Sequence, residues 1–373
     1  MMVKSLSGAA IVIGTRPEAI KVAPIFRELR LRNYNVSLIL SGQQRDLARS
    51  MLADLHIAPD FDLDLMEVDQ TPLSITSRII DKLPEVLNLV DAEDILVQGD
   101  TTTAFAAAYV GYMTGRRVSH VEAGLRTGDH QNPFPEEGNR KLIGQIADLH
   151  FAPTVTSRDN LMKEGIRADS IFVVGNTAID TLHQTLDSSP PSKYATNSCP
   201  YLLVTLHRRE SFGRPLIEIL NALEHFLEVE PSAEVLWPLH PNPRVREVVV
   251  ERFAHSSRIR LLEPQPYREF VHLLANASLV LTDSGGIQEE GPSLGKVVLV
   301  ARELTERPEG LTSGMNQLVG RSSESVFRGL VNNWGHSILA STANRSSSPF
   351  GDGNAARRIV AILDGRHPDP FQG

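Results

Sequence analysis

Short apolar runs rich in Val and Ile recur along the whole chain, and most are followed by an amphipathic or alanine-rich stretch long enough for a helix. In the first half the runs are Ala10–Ile13, Val36–Leu40, Ile95–Val97, Arg117–Val121, Leu149–Ala152 and Ile171–Val174, with stretches such as Ile20–Leu31 and Thr101–Met113 between them. The pattern begins again at Tyr201–Leu206 and continues through Glu234–Leu239, Ile259–Leu262, Leu279–Thr282, Val297–Val300 and Gln317–Val319. Alternation of this kind predicts parallel sheets covered on both faces by helices. The segment Leu186–Pro200, LDSSPPSKYATNSCP, interrupts it with prolines and small polar residues and reads as a linker. The expected organisation is therefore an N-terminal α/β domain over 1–185, a linker over 186–200 and a second α/β domain over 201–353. A last helix, Asn354–Leu363, lies within 354–373 after a polar loop, Ser341–Gly353. The halves share an architecture without a visible sequence repeat.

Composition changes this picture little. A chain of 373 residues is too long for one ordinary core, which agrees with two domains. The formal net charge of -8 and a pI near 5.9 argue against a nucleic-acid surface. Any phosphate in a ligand must then be met by particular Arg, Lys or backbone N–H groups. Cys199 is the only cysteine, so no internal disulfide forms and a reducing compartment fits. The apolar start of Met1–Ile13 ends in Gly14, Thr15 and Arg16 without a small-residue cleavage pattern and reads as a first strand rather than a secretory signal. No apolar run approaches the length of a membrane span.

Ligands of open parallel sheets bind outside the carboxyl ends of the strands, so the residues following each run are the candidate chemistry. They are GTRPEAIK (Gly14–Lys21), QGDTTT (Gln98–Thr103) and the stretch from Glu122 onward, then LHRRESFG (Leu206–Gly213), LHPNPR (Leu239–Arg244) and TDSGGIQEE (Thr282–Glu290). The economical arrangement is two sheets presenting these ends to one cleft. Ser119–Asp148 is the densest stretch, gathering Glu122, Glu136 and Glu137 with Arg126 and Arg140 around a strand end and a helix start. Taken alone, Glu136 and Glu137 are ordinary first-turn acids, each with a cation four residues on, Arg140 and Lys141. Ser284, Gly285 and Gly286 open a helix whose free N–H groups suit a phosphate; a lone Ser-Gly-Gly is otherwise a plain turn. Arg16 offers a guanidinium fork to a phosphate, or an ion pair to Glu18. Asp100 reads locally as an N-cap, Lys21 as a snorkelling helix residue, His207 as a hydrogen-bonded strand-end histidine and Glu290 as part of a solvated helix face.

Asp60, Asp62 and Asp64 resemble the DxD metal site of some sugar-transferring enzymes, but the segment lacks convergent ligands and reads as a solvated edge. His207, His240 and Asp283 lack compact metal-ligand spacing. No GxGxxG follows a strand and there is no Walker loop, so neither a metal nor an organic cofactor is expected, and no GxSxG marks a serine nucleophile.

Taken in order over Gly14–Gly310, the segments GTRPEAIK, QGDTTT, HVEAGLRTGD, PEEGNR, HRRESFG, DSGGIQEE, SLGKVVLV and ERPEG closely resemble the bacterial non-hydrolysing UDP-N-acetylglucosamine 2-epimerases. The resemblance implies two Rossmann-like domains facing across a cleft, the glycosyltransferase-B arrangement, with a C-terminal helix returning to the first domain. It implies a cytoplasmic homodimer that interconverts UDP-GlcNAc and UDP-ManNAc, eliminating UDP to 2-acetamidoglucal and adding it back, for polysaccharide biosynthesis. The matching functional positions are Asp100, Glu122, Glu136 and His207, with Lys21 beside them. By the same resemblance Arg16, Ser284, Gly285, Gly286 and Glu290 hold UDP. The family's second, regulatory UDP-GlcNAc site maps to Gln43, Gln44, Asp69, Glu137, Arg209 and His240. Two of these depart from the family: Gln44 stands where a histidine is common and Asp69 where a cation is common. A hydrolysing epimerase, a glycosyltransferase on the same fold and a non-catalytic nucleotide-sugar sensor are the competing readings.

Overall fold

In a computed structural model, the structure describes residues 8–67, 69–190, 194, 200–339 and 348–373. The predicted alternation becomes two parallel sheets. The first contains β1 (Gly8–Ile13), β2 (Asn35–Leu40), β3 (Phe61–Asp62), β4 (Asp94–Gln98), β5 (Arg117–Val121), β6 (Leu149–Ala152) and β7 (Ile171–Val173). Their order is β3-β2-β1-β4-β5-β6-β7, every pair parallel. The second contains β8 (Tyr201–Thr205), β9 (Glu234–Pro238), β10 (Ile259–Leu262), β11 (Leu279–Thr282), β12 (Val298–Val300) and β13 (Asn316–Leu318), in the order β10-β9-β8-β11-β12-β13 and again all parallel. Contacts divide the chain after His183 and after Phe350, so that Gly351–Gly373 belongs with the first sheet and Gln184–Phe350 forms the second unit. Most of the expected linker, Cys199 included, and most of the loop before Asp352 lie outside the described residues. Among the described residues no helix is long and apolar enough to cross a membrane.

Each sheet buries its strands on both faces, which is why their sequences run apolar without alternation. In the first unit the alanines of the helix Thr102–Met113 (Ala104, Ala106, Ala107 and Ala108) pack against Val97, Ile95 and Val118 with no exposed surface. In the second, Trp237 and Trp334 lie in the core, and Trp334 meets Phe226 edge to face at 5.2 Å. The two-residue β3 has too little apolar surface to be legible as a strand. It is an edge whose aspartates are each taken by a separate arginine: Asp60 by Arg30, Asp62 by Arg49 and Asp64 by Arg45. The DxD-like run is thus a solvated edge whose aspartates are held by ion pairs.

The end of the chain is tied to the first unit by its backbone. The helix Ala355–Leu363 packs on the helix Arg16–Leu31, and Phe371 N–H donates to Val173 O at the open edge of β7. The N-terminus of that last helix is capped by Asp180, 175 residues away, whose carboxylate accepts from Ala355 N (3.2 Å) and Ala356 N (2.8 Å). Burial pushes the Asp180 carboxyl up to about 7, despite these two donors. A carboxyl whose folded value lies above its ordinary 3.8 contributes stability that is complete below that value and lost as pH rises through 7. We expect Asp180→Asn, which forfeits one of the N–H bonds, to cost about 1 kcal/mol near pH 4. Its deficit relative to wild type should shrink and then reverse sign between pH 4 and 7, where residue 180 titrates only in the wild type. Urea unfolding of both proteins across this range checks it, and a pH-independent difference refutes it.

Candidate active site

A parallel sheet has a crevice where the strand order reverses, because the loops after the two central strands leave in opposite directions. In the first sheet this point lies between β1 and β4, which run in register with Ile11 beside Leu96. In the second it lies between β8 and β11, where Thr205 pairs with Thr282 and their hydroxyls meet at 2.6 Å. GTRPEAIK and QGDTTT leave the first point; HRRESFG and DSGGIQEE leave the second.

At the first point Gly14 is needed for close approach. A Cβ there would lie 2.2 Å from Thr103 Oγ1 and 2.6 Å from Ser41 Oγ. Thr15 then caps the helix Arg16–Leu31 in a capping box with Glu18, a pattern legible as Thr-x-x-Glu. Glu18 does not turn outward to Arg16, which is exposed and makes no ion pair among the described residues. Its buried carboxylate accepts from Gly14 N (3.0 Å), Thr15 N (2.7 Å) and Thr15 Oγ1 (2.7 Å), and from Thr101 Oγ1 (2.8 Å) across the switch point. Burial raises it to about 7 against those hydrogen bonds. The N-cap of the helix Thr102–Met113 is Thr101, not Asp100. Released from that duty, the Asp100 carboxylate turns to Arg140, which binds it through Nε (2.8 Å) and a terminal nitrogen (2.7 Å).

Glu122 follows β5 with φ of +63°, a left-handed conformation that a side-chain-bearing residue rarely adopts. There Gln98, at the end of β4, and Lys21, in the helix that follows β1, both donate to its carboxylate. Lys21 is therefore an ion-pair partner of Glu122 rather than a snorkelling residue, with side-chain exposures of 14% and 7%. Below the loop, buried His120 donates through Nε2 to Gly99 O at 2.7 Å; burial holds its pKa down at about 3, so the ring is neutral.

The helix Glu136–Ile146 closes this group. Asn139 Nδ2 donates to Asp100 O (2.8 Å), and Arg140 bridges Asp100 to Glu137 (3.0 Å). Glu137 is fully buried and also accepts from Thr127 N and Gly128 N (3.2 Å each). Burial opposes its charge, but these donors and Arg140 outweigh burial and hold its pKa below 4.5. The solvent-facing pairs Glu136–Arg140 and Glu137–Lys141 do not form; Lys141 lies by His130 instead. Glu136 is half-buried, and among the described residues nothing holds its carboxylate. Asp100, Glu122 and the first turns of the Glu136 helix are thus brought together with Lys21.

Of the remaining first-unit candidates, Gln43 is drawn in: its Oε1 accepts from Thr103 N (3.2 Å) and Thr103 Oγ1 (2.8 Å). Gln44 is the exposed N-cap of the helix Arg45–Asp54, and Asp69 is exposed with φ of +56°. In the second unit, Ser284 caps the helix Gly285–Ser293. Glu290 is not on a solvated face; it is buried and accepts from Tyr267 Oη at 3.0 Å. His207 lies beside Asp283, with His240 stacked on its ring at 5.7 Å. The side chain of Arg209 lies outside the described residues.

Two groups escaped the sequence reading. Gln98, inside QGDTTT, had no chemical signature of its own. Arg307, inside ERPEG, lies over the start of the Ser284 helix, where a Cβ on Gly285 would come within 2.9 Å of its guanidinium. Arg307 is held there by Glu289 (2.7 Å), and Glu306 is surrounded by Arg307, Arg302 and Arg208. Burial would raise Glu306; the three guanidinium groups outweigh it and bring it down to about 2.

The sequence profile of the family described as UDP-N-acetylglucosamine 2-epimerase matches residues 27–364. The UDP-N-acetylglucosamine 2-epimerase of Bacillus subtilis (strain 168) is 42% identical over 371 residues, covering 97% of this chain and 98% of the relative. The UDP-GlcNAc 2-epimerase from Neisseria meningitidis, solved bound to UDP-GlcNAc, superposes with a TM-score of 0.87 at 36% identity over 95% of this chain and 99% of that one. The glycotransferase of kitacinnamycin, at 11% identity and a TM-score of 0.64 over 94% of this chain and 98% of that one, shares the fold alone. Carboxylates gathered at one switch point and a Ser-Gly-Gly helix start at the other thus occur in a chain similar to these proteins from end to end, and the chain belongs to the UDP-N-acetylglucosamine 2-epimerase family.

Proposed function

We propose that the protein interconverts UDP-GlcNAc and UDP-ManNAc without hydrolysis. The observation that carries the reading is the convergence of Asp100, Glu122, Lys21 and the Glu136 helix at the end of the first sheet, in a family named for this epimerisation. The C2 proton of the sugar has no adjacent carbonyl to acidify it, so direct deprotonation is unfavourable. Removing it while the C1–O bond to UDP breaks lets the C2–H electron pair form the C1=C2 bond of 2-acetamidoglucal, and the C1–O pair leaves with UDP. Re-addition of UDP at C1, with a proton delivered to the opposite face of C2, gives the epimer. Such a sequence needs carboxylates near C2 and cationic or N–H donors on the diphosphate.

Asp100, Glu122 and Glu136 serve the proton transfers or their support, with Lys21 paired to Glu122. UDP is taken by Arg16 and by the Ser284, Gly285 and Gly286 helix start, with Glu290 accepting from ribose hydroxyls and His207 at the diphosphate. Gln43, Gln44, Asp69, Glu137, Arg209 and His240 form the set homologous to a regulatory nucleotide-sugar site. An acid at 69 would repel a second diphosphate, which weighs against activation by UDP-GlcNAc. The protein acts as a cytoplasmic homodimer.

Proton NMR in D2O tests this, with UDP-GlcNAc and UDP-ManNAc each supplied as the only ligand. UDP-ManNAc carrying deuterium at C2 is the expected product from UDP-GlcNAc. Turnover from UDP-ManNAc alone is expected as well, and a strict requirement for UDP-GlcNAc would show that activation is retained. Release of UDP with free ManNAc would assign the hydrolysing reaction instead.

A further inference from the structure

We infer that Asp283 is the positioning residue of His207, fixing which ring nitrogen works; the inference rests on the proposed role of His207 at the diphosphate. Asp283 is fully buried immediately after β11, and among the described residues the donors to its carboxylate all come from the segment after β8. His207 N–H donates to both carboxylate oxygens (3.1 Å each), Arg208 N–H to Oδ2 (3.0 Å) and the Ser211 hydroxyl to Oδ2 (2.8 Å). Oδ1 also lies 3.2 Å from Nδ1 of the His207 ring.

The contact is a close approach rather than an aligned hydrogen bond, but two lone pairs facing at 3.2 Å repel, so it favours the tautomer with the proton on Nδ1. A neutral His207 then has its lone pair on Nε2, and a protonated one has its second N–H there. With the His240 ring stacked on it at an interplanar angle of 25°, the imidazole is restrained from its edge and from its face, while its side chain stays 38% exposed. Nε2 is thus the nitrogen available to the leaving group. When the C1–O bond breaks, the departing β-phosphate gains negative charge, which an Nε2–H donor stabilises; the buried carboxylate behind Nδ1 stabilises the imidazolium that provides it. The adjacency follows from sheet order, since β8 and β11 are neighbours ending in register.

The test combines kinetics with the tautomer state of His207, read from two-bond proton–nitrogen correlations in protein labelled with 15N-histidine and assigned with His207→Gln. In wild type the proton should sit on Nδ1. Asp283→Asn retains shape, but its amide N–H turned to the ring favours the Nε2–H tautomer. It should lower kcat by about 10- to 100-fold with KM changed less than about threefold, a smaller loss than for a fully buried catalytic histidine. Ser211→Ala removes a donor from the same carboxylate without touching the ring and should leave the proton on Nδ1. A wild-type His207 protonated on Nε2 alone, or an Asp283→Asn protein with unaltered tautomer and kcat, overturns the inference. If Asp283→Asn does not fold, the wild-type spectrum still decides. Because the tautomer is read without turnover, an inactive wild type would remove the epimerase reading and leave this result standing.

Discussion

Glu122→Gln should lower kcat by about 10²- to 10⁴-fold, the range for losing a positioned proton-transfer group, with KM nearly unchanged. Lys21 and Gln98 both present donors to this carboxylate. An amide offers only one acceptor, so its NH2 must oppose either the ammonium or the Gln98 amide, and the negative charge is lost with the geometry. The left-handed backbone at residue 122 is already set by the turn after β5, so the substitution does not add strain there. The proposed function gives UDP to other residues, which is why the loss should fall on kcat. Solvent deuterium entering C2, followed over single turnovers, separates chemistry from product release. A kcat within about threefold of wild type would remove Glu122 from the acid–base set.

Arg140→Met should destabilise the protein by about 3–5 kcal/mol, the cost of removing one partner from a buried ion pair. Arg140 has 9% of its side chain exposed and neutralises both Glu137, fully buried, and Asp100, 25% exposed. Methionine keeps the apolar volume and strands two carboxylates. For a unit of about 200 residues this corresponds to a fall in Tm of roughly 10 °C. The sign with pH follows from Glu137, whose pKa is held down in the folded protein. Its stabilisation is present above the ordinary value of 4.5 and lost as pH falls through the lower folded value. The difference between Arg140→Met and wild type should therefore narrow toward acid pH, and Glu137→Gln should partly relieve the variant at pH 7. A melting curve within about 2 °C of wild type at pH 7 would show that the bridge contributes little.

Most of the candidate site was legible because its groups occur where local sequence signals end. Strands showed as short Val- and Ile-rich runs, and what followed each was polar: Lys21, Asp100, Glu122, His207, Ser284. The Thr15–Glu18 capping box is a four-residue pattern, and Gly285 and Gly286 mark a helix start that a ligand can approach. Residue-level readings failed where burial, not spacing, decides behaviour. Glu137 reads as a first-turn acid facing water, yet it lies inside beneath Thr127 and Gly128. Asp100 reads as a cap, yet Thr101 caps and Asp100 pairs with Arg140.

The sequence by itself determined two parallel α/β halves, the identity of the polar groups at their strand ends and the family they match, because side-chain periodicity, capping and turn chemistry act over a few residues. Only the tertiary structure decided which strand ends are neighbours. The orders β2-β1-β4 and β9-β8-β11 place Glu18 beside Thr101 and Asp283 beside His207, and they depend on crossovers that local pattern does not encode. It also decided that Asp180 caps a helix 175 residues away and that Arg140 serves two carboxylates at once. Long-range pairing of buried charges follows from what packs over them, since a charge removed from water must find its partner wherever the fold supplies one.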